Sequence, residues 1–152
     1  MCGICGVLAS AHVRRDDASA MLEALRNRGP DDGDLWQDQD AGISLGHRRL
    51  AVLELSPAGR QPMTSHDGRY VITFNGEIYN HPELRGELVR AGALNAWRGH
   101  SDTETLLECV SAWGVRRTLD ATVGMFAFAL WDRVERRLHL ARDRFGTQPR
   151  LG

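Results

Sequence analysis

No long hydrophobic run occurs in this sequence. Its most apolar stretch, Gly124-Met125-Phe126-Ala127-Phe128-Ala129-Leu130-Trp131, is far short of the ~20 residues that a membrane-spanning helix needs. Neither sign of charge is in excess: 19 Lys and Arg stand against 20 Asp and Glu, for a net charge of −1. The electrostatic footprint of a nucleic-acid or anionic-membrane binder is therefore missing, and neither partner is expected. The first residues lack the basic segment and long apolar segment of a secretory leader, so none is expected. Cysteine is scarce, with only Cys2, Cys5 and Cys109. An odd count without a leader predicts a reducing, cytoplasmic setting and no disulfide framework. No G-x-x-x-x-G-K phosphate cradle occurs, so no cofactor of the ATP kind is expected on these residues.

What is present is an ordinary globular composition, 42% hydrophobic and 26% charged over 152 residues. That length suits one domain with a core large enough to fold without staples. Cys2 to Ala9 reads as a buried strand. Asp16-Asp17 can cap a helix whose apolar face is Ala18, Met21, Leu22 and Leu25. Arg28 to Gly33 reads as a loop. Ile43-Ser44-Leu45 and Ala51-Val52-Leu53 read as strands either side of Gly46-His47-Arg48-Arg49, and Ser56 to Thr64 as a loop. Tyr70 to Phe74 is a predicted strand running into Asn75-Gly76. Pro82 opens a helix with Leu84 and Leu88 on one face and Gly92 after its end. Ser101-Asp102-Thr103-Glu104 has the capping-box form, ahead of a helix carrying Leu106, Val110 and Trp113 and stopped at Gly114. Met125 to Trp131 and Leu138 to Ala141 pair around a turn at Asp132 to Arg136, with Phe126, Phe128 and Trp131 as core. Paired strands without strict β-α alternation predict an α+β domain with a layered core.

Two places carry chemistry. A small residue after Met1 permits removal of the initiator methionine, which would leave Cys2 with a free α-amine. An amine with a reference pKa of ~7.7–8.0 would then share one residue with a thiol of ~8.5. Base and nucleophile need no histidine between them. The competing readings are a structural cysteine, or half of a metal or redox site with Cys5. A closed zinc site needs four ligands, and there is no second C-x-x-C; on a strand, Cys5 points to the opposite face from Cys2. The second place is Asn75-Gly76-Glu77-Ile78-Tyr79-Asn80. Asn-Gly after an alternating strand is the strongest short hairpin signal, but the return arm would be only Ile78-Tyr79. Alternatively, the Asn75 amide and the Gly76 N–H are two donors able to converge on one oxyanion. Taken singly, Arg48-Arg49 is a solvated pair, Glu77 a surface carboxylate and Asp102 a favourable charge in a first helical turn. None of the six histidines has a partner pattern that assigns it a role.

Met1-Cys2-Gly3-Ile4, Arg28-Gly29-Pro30-Asp31, His47-Arg48-Arg49-Leu50, Asn75-Gly76-Glu77-Ile78-Tyr79-Asn80, Ser101-Asp102-Thr103-Glu104 and Ala141-Arg142-Asp143-Arg144-Phe145-Gly146 occur in this order. Together they resemble the N-terminal glutaminase domain of glutamine-dependent asparagine synthetases, the class II glutamine amidotransferases. The resemblance runs from Cys2 to about Gly146. It implies an N-terminal-nucleophile hydrolase fold, a four-layer αββα sandwich, acting on L-glutamine. Cys2 would be the nucleophile, and Asn75 with the Gly76 backbone the oxyanion hole. Arg49 would hold the substrate carboxylate through its planar fork, Glu77 and Asp102 would face the α-ammonium group, and backbone near Leu50 and Val52 would floor the pocket. No metal is implied. Past Gly146 the family continues into a Lys-Pro-Leu-Tyr-like stretch, where this chain reads Thr147-Gln148-Pro149-Arg150-Leu151-Gly152. Residues 1–152 are therefore expected to form one glutaminase domain, truncated at its C-terminus. Its partner would be a synthetase domain or subunit, and ATP and Mg would belong there. The other readings are a related amidotransferase with a sugar or peptide acceptor, and an inactive glutamine-binding domain.

The N-terminal-nucleophile reading predicts that the mature protein lacks Met1. Intact mass spectrometry should find a chain lighter by one methionine; a retained Met1 would remove the proposed base.

Overall fold

The computed structural model describes residues 2–9, 15–50, 59–94 and 96–146. The predicted strand at residues 51–53 and the residues after Gly146 lie outside them. Described elements are β1 (Gly3–Leu8), α1 (Arg15–Ala24), β2 (Asp32–Asp38), β3 (Ile43–Arg49), β4 (Met63–Thr64), β5 (Tyr70–Ile78), α2 (His81–Arg90), α3 (Asp102–Trp113), α4 (Val115–Ala121), β6 (Gly124–Asp132) and β7 (Arg137–Arg142). None of these helices is long and apolar enough to cross a membrane.

The strands form two antiparallel sheets, β1-β3-β2 and β4-β5-β6-β7. Side-chain alternation assigns the layers. On the second sheet Tyr70, Ile72, Phe74, Ile78, Phe126, Phe128 and Leu130 share a core with Leu84 and Leu88 of α2 and Leu106, Leu107 and Val110 of α3. Its other face, with Val71, Ala129 and Trp131, meets Ile43 and Leu45 of β3. α1 packs on the far side of the first sheet. The order is helix, sheet, sheet, helices: the four-layer αββα sandwich.

Several sequence expectations change in detail. α1 starts at Arg15, so Asp16-Asp17 lies within its first turn instead of capping it. Ala18 is buried, whereas Met21 is exposed. The expected loop at Arg28 to Gly33 ends early, because β2 begins at Asp32 and pairs with β3 along its whole length. Gly46-His47-Arg48-Arg49 is not a break between strands but the second half of β3. Met63–Thr64, placed in a loop, adds to the edge of β5, and α4 was not anticipated. Most important, Asn75-Gly76 makes no hairpin. β5 runs on to Ile78, in unbroken register with β6 to Ile78↔Gly124. The predicted features of α2 and α3 hold: Leu84 and Leu88 are buried, and Gly92 and Gly114 take positive φ just past the helix ends. The Ser101 side chain accepts from the Glu104 N–H, but the Glu104 carboxylate does not return to Ser101.

Glu104 is fully buried and accepts from the Arg98 N–H (2.8 Å), the Gly99 N–H (3.1 Å) and the His66 ring (3.0 Å). Arg85 and Arg98 supply its counter-charges. Burial alone would raise this carboxyl; the Arg98 N–H, the His66 ring, the Gly99 N–H and the Arg98 charge together hold it below its ordinary range. This knot fixes the approach to α3, and Arg85 also stacks over Trp97 at 3.9 Å.

Gly29 explains the Arg-Gly-Pro-Asp loop. It is buried, and a Cβ there would lie 2.4 Å from the Arg48 carbonyl carbon and 2.6 Å from the Arg49 nitrogen. That is rigid backbone at the end of β3, which cannot yield. Gly29→Ala should lower stability by about 1–3 kcal/mol, read as a fall in the urea midpoint; an unchanged midpoint would contradict this packing.

Candidate functional site

Arg48 and Arg49 are neighbours on a strand, so they point to opposite faces. The Arg48 side chain turns outward to α1, where its Nε donates to the Leu22 carbonyl at 3.1 Å and its guanidinium pairs with Glu23. It is a tether between layers, not a solvated charge. Arg49 turns to the inter-sheet side. The same alternation applies on β1, which is registered Gly3↔Arg48 against β3. Cys5 faces α1, its Sγ lying beside Gly46, while Cys2 points between the sheets. On β5, Thr73 hydrogen-bonds across to the Gly46 carbonyl at 3.0 Å, so Asn75 and Glu77, two and four residues on, face the same gap.

These side chains meet at one end of the sandwich. A cleft of about 300 Å³ is lined by Cys2, Arg49, Leu50, Gly76, Glu77 and Asp102, together with residues that carried no expectation, notably His47, Gln61 and Thr103. Asn75, between the lining residues Phe74 and Gly76, is buried and is not itself part of the lining. Val52 lies outside the described residues. The Leu50 N–H approaches the Cys2 Sγ at 3.5 Å, and the Leu50 carbonyl lies 3.8 Å from the same sulfur. Arg28 Nε donates to the Cys2 carbonyl at 3.4 Å, which fixes the start of the chain from the Arg-Gly-Pro-Asp loop. The other cysteines are elsewhere, Cys5 under α1 and Cys109 buried in the α3 core. Burial raises both thiols, Cys109 to about 12. Among the described residues no three His, Cys, Asp or Glu side chains group closely enough to hold a metal.

The backbone of β5 sets the donor geometry. The Phe126 carbonyl accepts from the Asp143 N–H at 2.8 Å, and the Phe126 N–H donates to the Asp143 carboxylate at 3.2 Å. Both of its groups thus face β7. Gly76, registered against Phe126, is therefore in a non-hydrogen-bonded pair, and its own N–H and C=O point away from β6 into the cleft. Such pairs bring the backbones close: a Cβ on Gly76 would sit 2.2 Å from the Met125 oxygen and 2.6 Å from the Phe126 Cα. Only glycine fits. Phe74 and Ile78, in phase with Gly76, direct their groups to the same edge. The Phe74 N–H donates to Gln61 Oε1 at 2.6 Å, and His47 Nε2 donates to the Phe74 carbonyl at 3.2 Å. The Ile78 N–H donates to Asp102 Oδ2 at 2.9 Å. Asp102 therefore does more than favour the start of α3: it closes the end of β5. Burial raises its carboxyl above the ordinary value, against the lowering effect of the Ile78 and Thr103 N–H groups.

His47 was missed because nothing in the spacing marks it; only the layer alternation turns it inward. Gln61 was missed because it reads as part of a Pro-containing loop. His47 is 2% exposed, and its imidazole is pushed down to about 4 by burial first, with the Arg49 charge adding to the effect and the bond to the Phe74 carbonyl opposing it. It is thus neutral, with the proton on Nε2 facing that carbonyl.

Residues 1–151 match the family described as glutamine amidotransferase domain. The asparagine synthetase [glutamine-hydrolyzing] 3 of Bacillus subtilis is 38% identical over 98% of this chain and 24% of its own length. The asparagine synthetase [glutamine-hydrolyzing] 1 of Arabidopsis thaliana is 37% identical over 96% of this chain and 24% of its own. The chain thus spans about a quarter of the length of the curated relatives it matches. A solved glutamine phosphoribosylpyrophosphate amidotransferase from B. subtilis superposes with a TM-score of 0.57 at 23% identity, over 71% of this chain and 24% of that one, a likeness of fold.

The depressed His47 value gives a pH signature. The unfolded chain protonates this ring near pH 6.5 and the native chain only near 4, so acidification through that window favours unfolding. At 1.36 kcal/mol per unit, the native state should lose up to about 3 kcal/mol between pH 7 and 4. His47→Gln should lose less over the same range, by denaturant titration at each pH; parallel curves would mean that His47 is not held neutral.

Proposed function

Since the chain belongs to the glutamine amidotransferase family, we propose that it hydrolyses L-glutamine with Cys2 as nucleophile and delivers the ammonia to a synthetase domain or subunit that makes asparagine from aspartate. After loss of Met1, the Cys2 amine takes the thiol proton and the sulfur attacks the side-chain carboxamide carbon. The oxygen becomes an oxyanion that accepts from the Gly76 N–H and the Asn75 amide. Collapse breaks the C–N bond, ammonia leaves with the proton returned by the amine, and a thioester remains on Cys2. Water, deprotonated by the same amine, attacks the thioester and releases glutamate.

The observation that carries this reading is the convergence of the Cys2 sulfur, the outward peptide groups of Gly76 and the Arg49 side chain on one cleft. Donors fixed by a strand need no reorganisation when the charge develops, and one such donor is worth about 10²–10³ in rate. Arg49 gives the cleft a cation for the substrate carboxylate, while Glu77 and Asp102 offer anions to its ammonium group. One cation and two anions read a zwitterion and discriminate against a simple amide. The relatives named as glutamine-hydrolysing asparagine synthetases support aspartate as the eventual acceptor. In that reading ATP and Mg act in the synthetase part, the present residues form the glutaminase part, and the protein works in the cytoplasm.

Labelling with an electrophilic glutamine analogue tests the assignment. The adduct should map to Cys2, and Cys2→Ala should lose ammonia release by more than about a thousandfold while its melting curve stays close to wild type. An adduct on Cys5 or Cys109, or comparable ammonia from the variant, would refute it.

A further inference from the structure

β4 covers only Ile72 and Val71 of β5. Beyond that point the outer edge of β5 has no described strand beside it, yet Phe74 and Ile78 are buried and their peptide groups need partners. Side chains do what a strand would have done. Gln61 takes the Phe74 N–H, His47 serves the Phe74 carbonyl, and Asp102 takes the Ile78 N–H. Gly76 lies midway between the two held N–H groups, so its orientation follows from theirs.

Gln61 has a further connection. Its Nε2 donates to Thr103 Oγ1 at 3.3 Å, and Thr103 follows Asp102 in the first turn of α3. One amide therefore joins the strand edge bearing the Gly76 N–H to the helix start bearing Asp102. Gln61 is buried, its Oε1 is committed to backbone, and no sequence motif singled it out.

We propose that Gln61 is a positioning residue of the oxyanion hole: it replaces a paired strand at Phe74, thereby aiming the Gly76 N–H, and it registers that edge against the start of α3. This rests on the reading of Cys2 as a glutaminase nucleophile. The acceptor Oε1 matters most, since it holds the strand that bears the donor; the Nε2 bond to Thr103 couples the two halves of the pocket.

The test uses the full-length protein with Gln61→Leu, which removes both bonds, and Gln61→Glu, which keeps an acceptor for the Phe74 N–H. Glutamine hydrolysis is measured beside alkylation of Cys2 by iodoacetamide, a displacement in which no oxyanion develops. Gln61→Leu should lower kcat by about 10–100-fold, with KM for glutamine and the alkylation rate within about threefold of wild type. Gln61→Glu should recover most of the lost kcat. Equal kcat for Gln61→Leu and wild type would overturn the proposal. So would a parallel loss of alkylation, which would mark a merely structural role, or a Gln61→Glu no better than Gln61→Leu. If the wild type released no ammonia, the glutaminase reading itself would fall with it; ammonia from the wild type and from Gln61→Leu alike would sink only the positioning role.

Discussion

A strand whose edge faces a cleft must either find partners for its peptide groups or leave them for a ligand, and β5 does both. Its register with β6 puts Phe74, Gly76 and Ile78 in the phase that points outward, because the opposing Phe126 spends its own groups on Asp143. Two of the three outward N–H groups are tied down by side chains, and the third belongs to Gly76, which lines the same cleft as Cys2. Gly76 is only partly buried, so its N–H, held in direction by the strand, stays open to the cleft at no large cost. The requirement for glycine at position 76 follows from the same close pairing, not from a turn.

The electrostatics follow from layering. The cleft sits where the inter-sheet gap reaches the surface, so its charged groups are partly desolvated, and Arg49 and Glu77 are each half-buried. His47, deeper, is driven neutral and works as a hydrogen-bond donor to the β5 backbone. Glu104, deeper still on the helical side, stays charged only because five donor atoms surround it. These two buried titratable groups stabilise the two segments, β5 and residues 98–101, that deliver Gly76 and Asp102.

Much of this was legible in the sequence. The strands at β6 and β7, the buried faces of α2 and α3 and the glycine stops were plain, because they depend on local periodicity and backbone preference. Cys2, Arg49, Glu77 and Asp102 were nameable from ordered motifs, and they do line one cleft. What sequence alone misjudged were features decided by tertiary pairing. Asn75-Gly76 has the local signature of a turn, but nine residues of continuous pairing with β6 override it. Gly46-His47-Arg48-Arg49 looks like an interruption because glycine and three basic residues are poor strand formers, yet β1 and β2 flank it on both sides. Glu104 satisfies the capping-box pattern, but two loop N–H groups and two arginines compete for its carboxylate and win.

The paired arginines of β3 have a consequence for how such a sequence can change. Position along a strand is counted modulo two: on β3 the even Arg48 braces the outer helix and the odd Arg49 enters the cleft, and on β1 the parity is reversed, so that Cys2 enters the cleft and Cys5 faces the helix. A single-residue insertion upstream in β3 would leave composition and net charge nearly untouched, yet it would exchange the brace for the cleft-facing arginine and send the imidazole out of the gap. Lineages of this domain should thus tolerate length variation in the connecting segments but, within β3, only in steps of two.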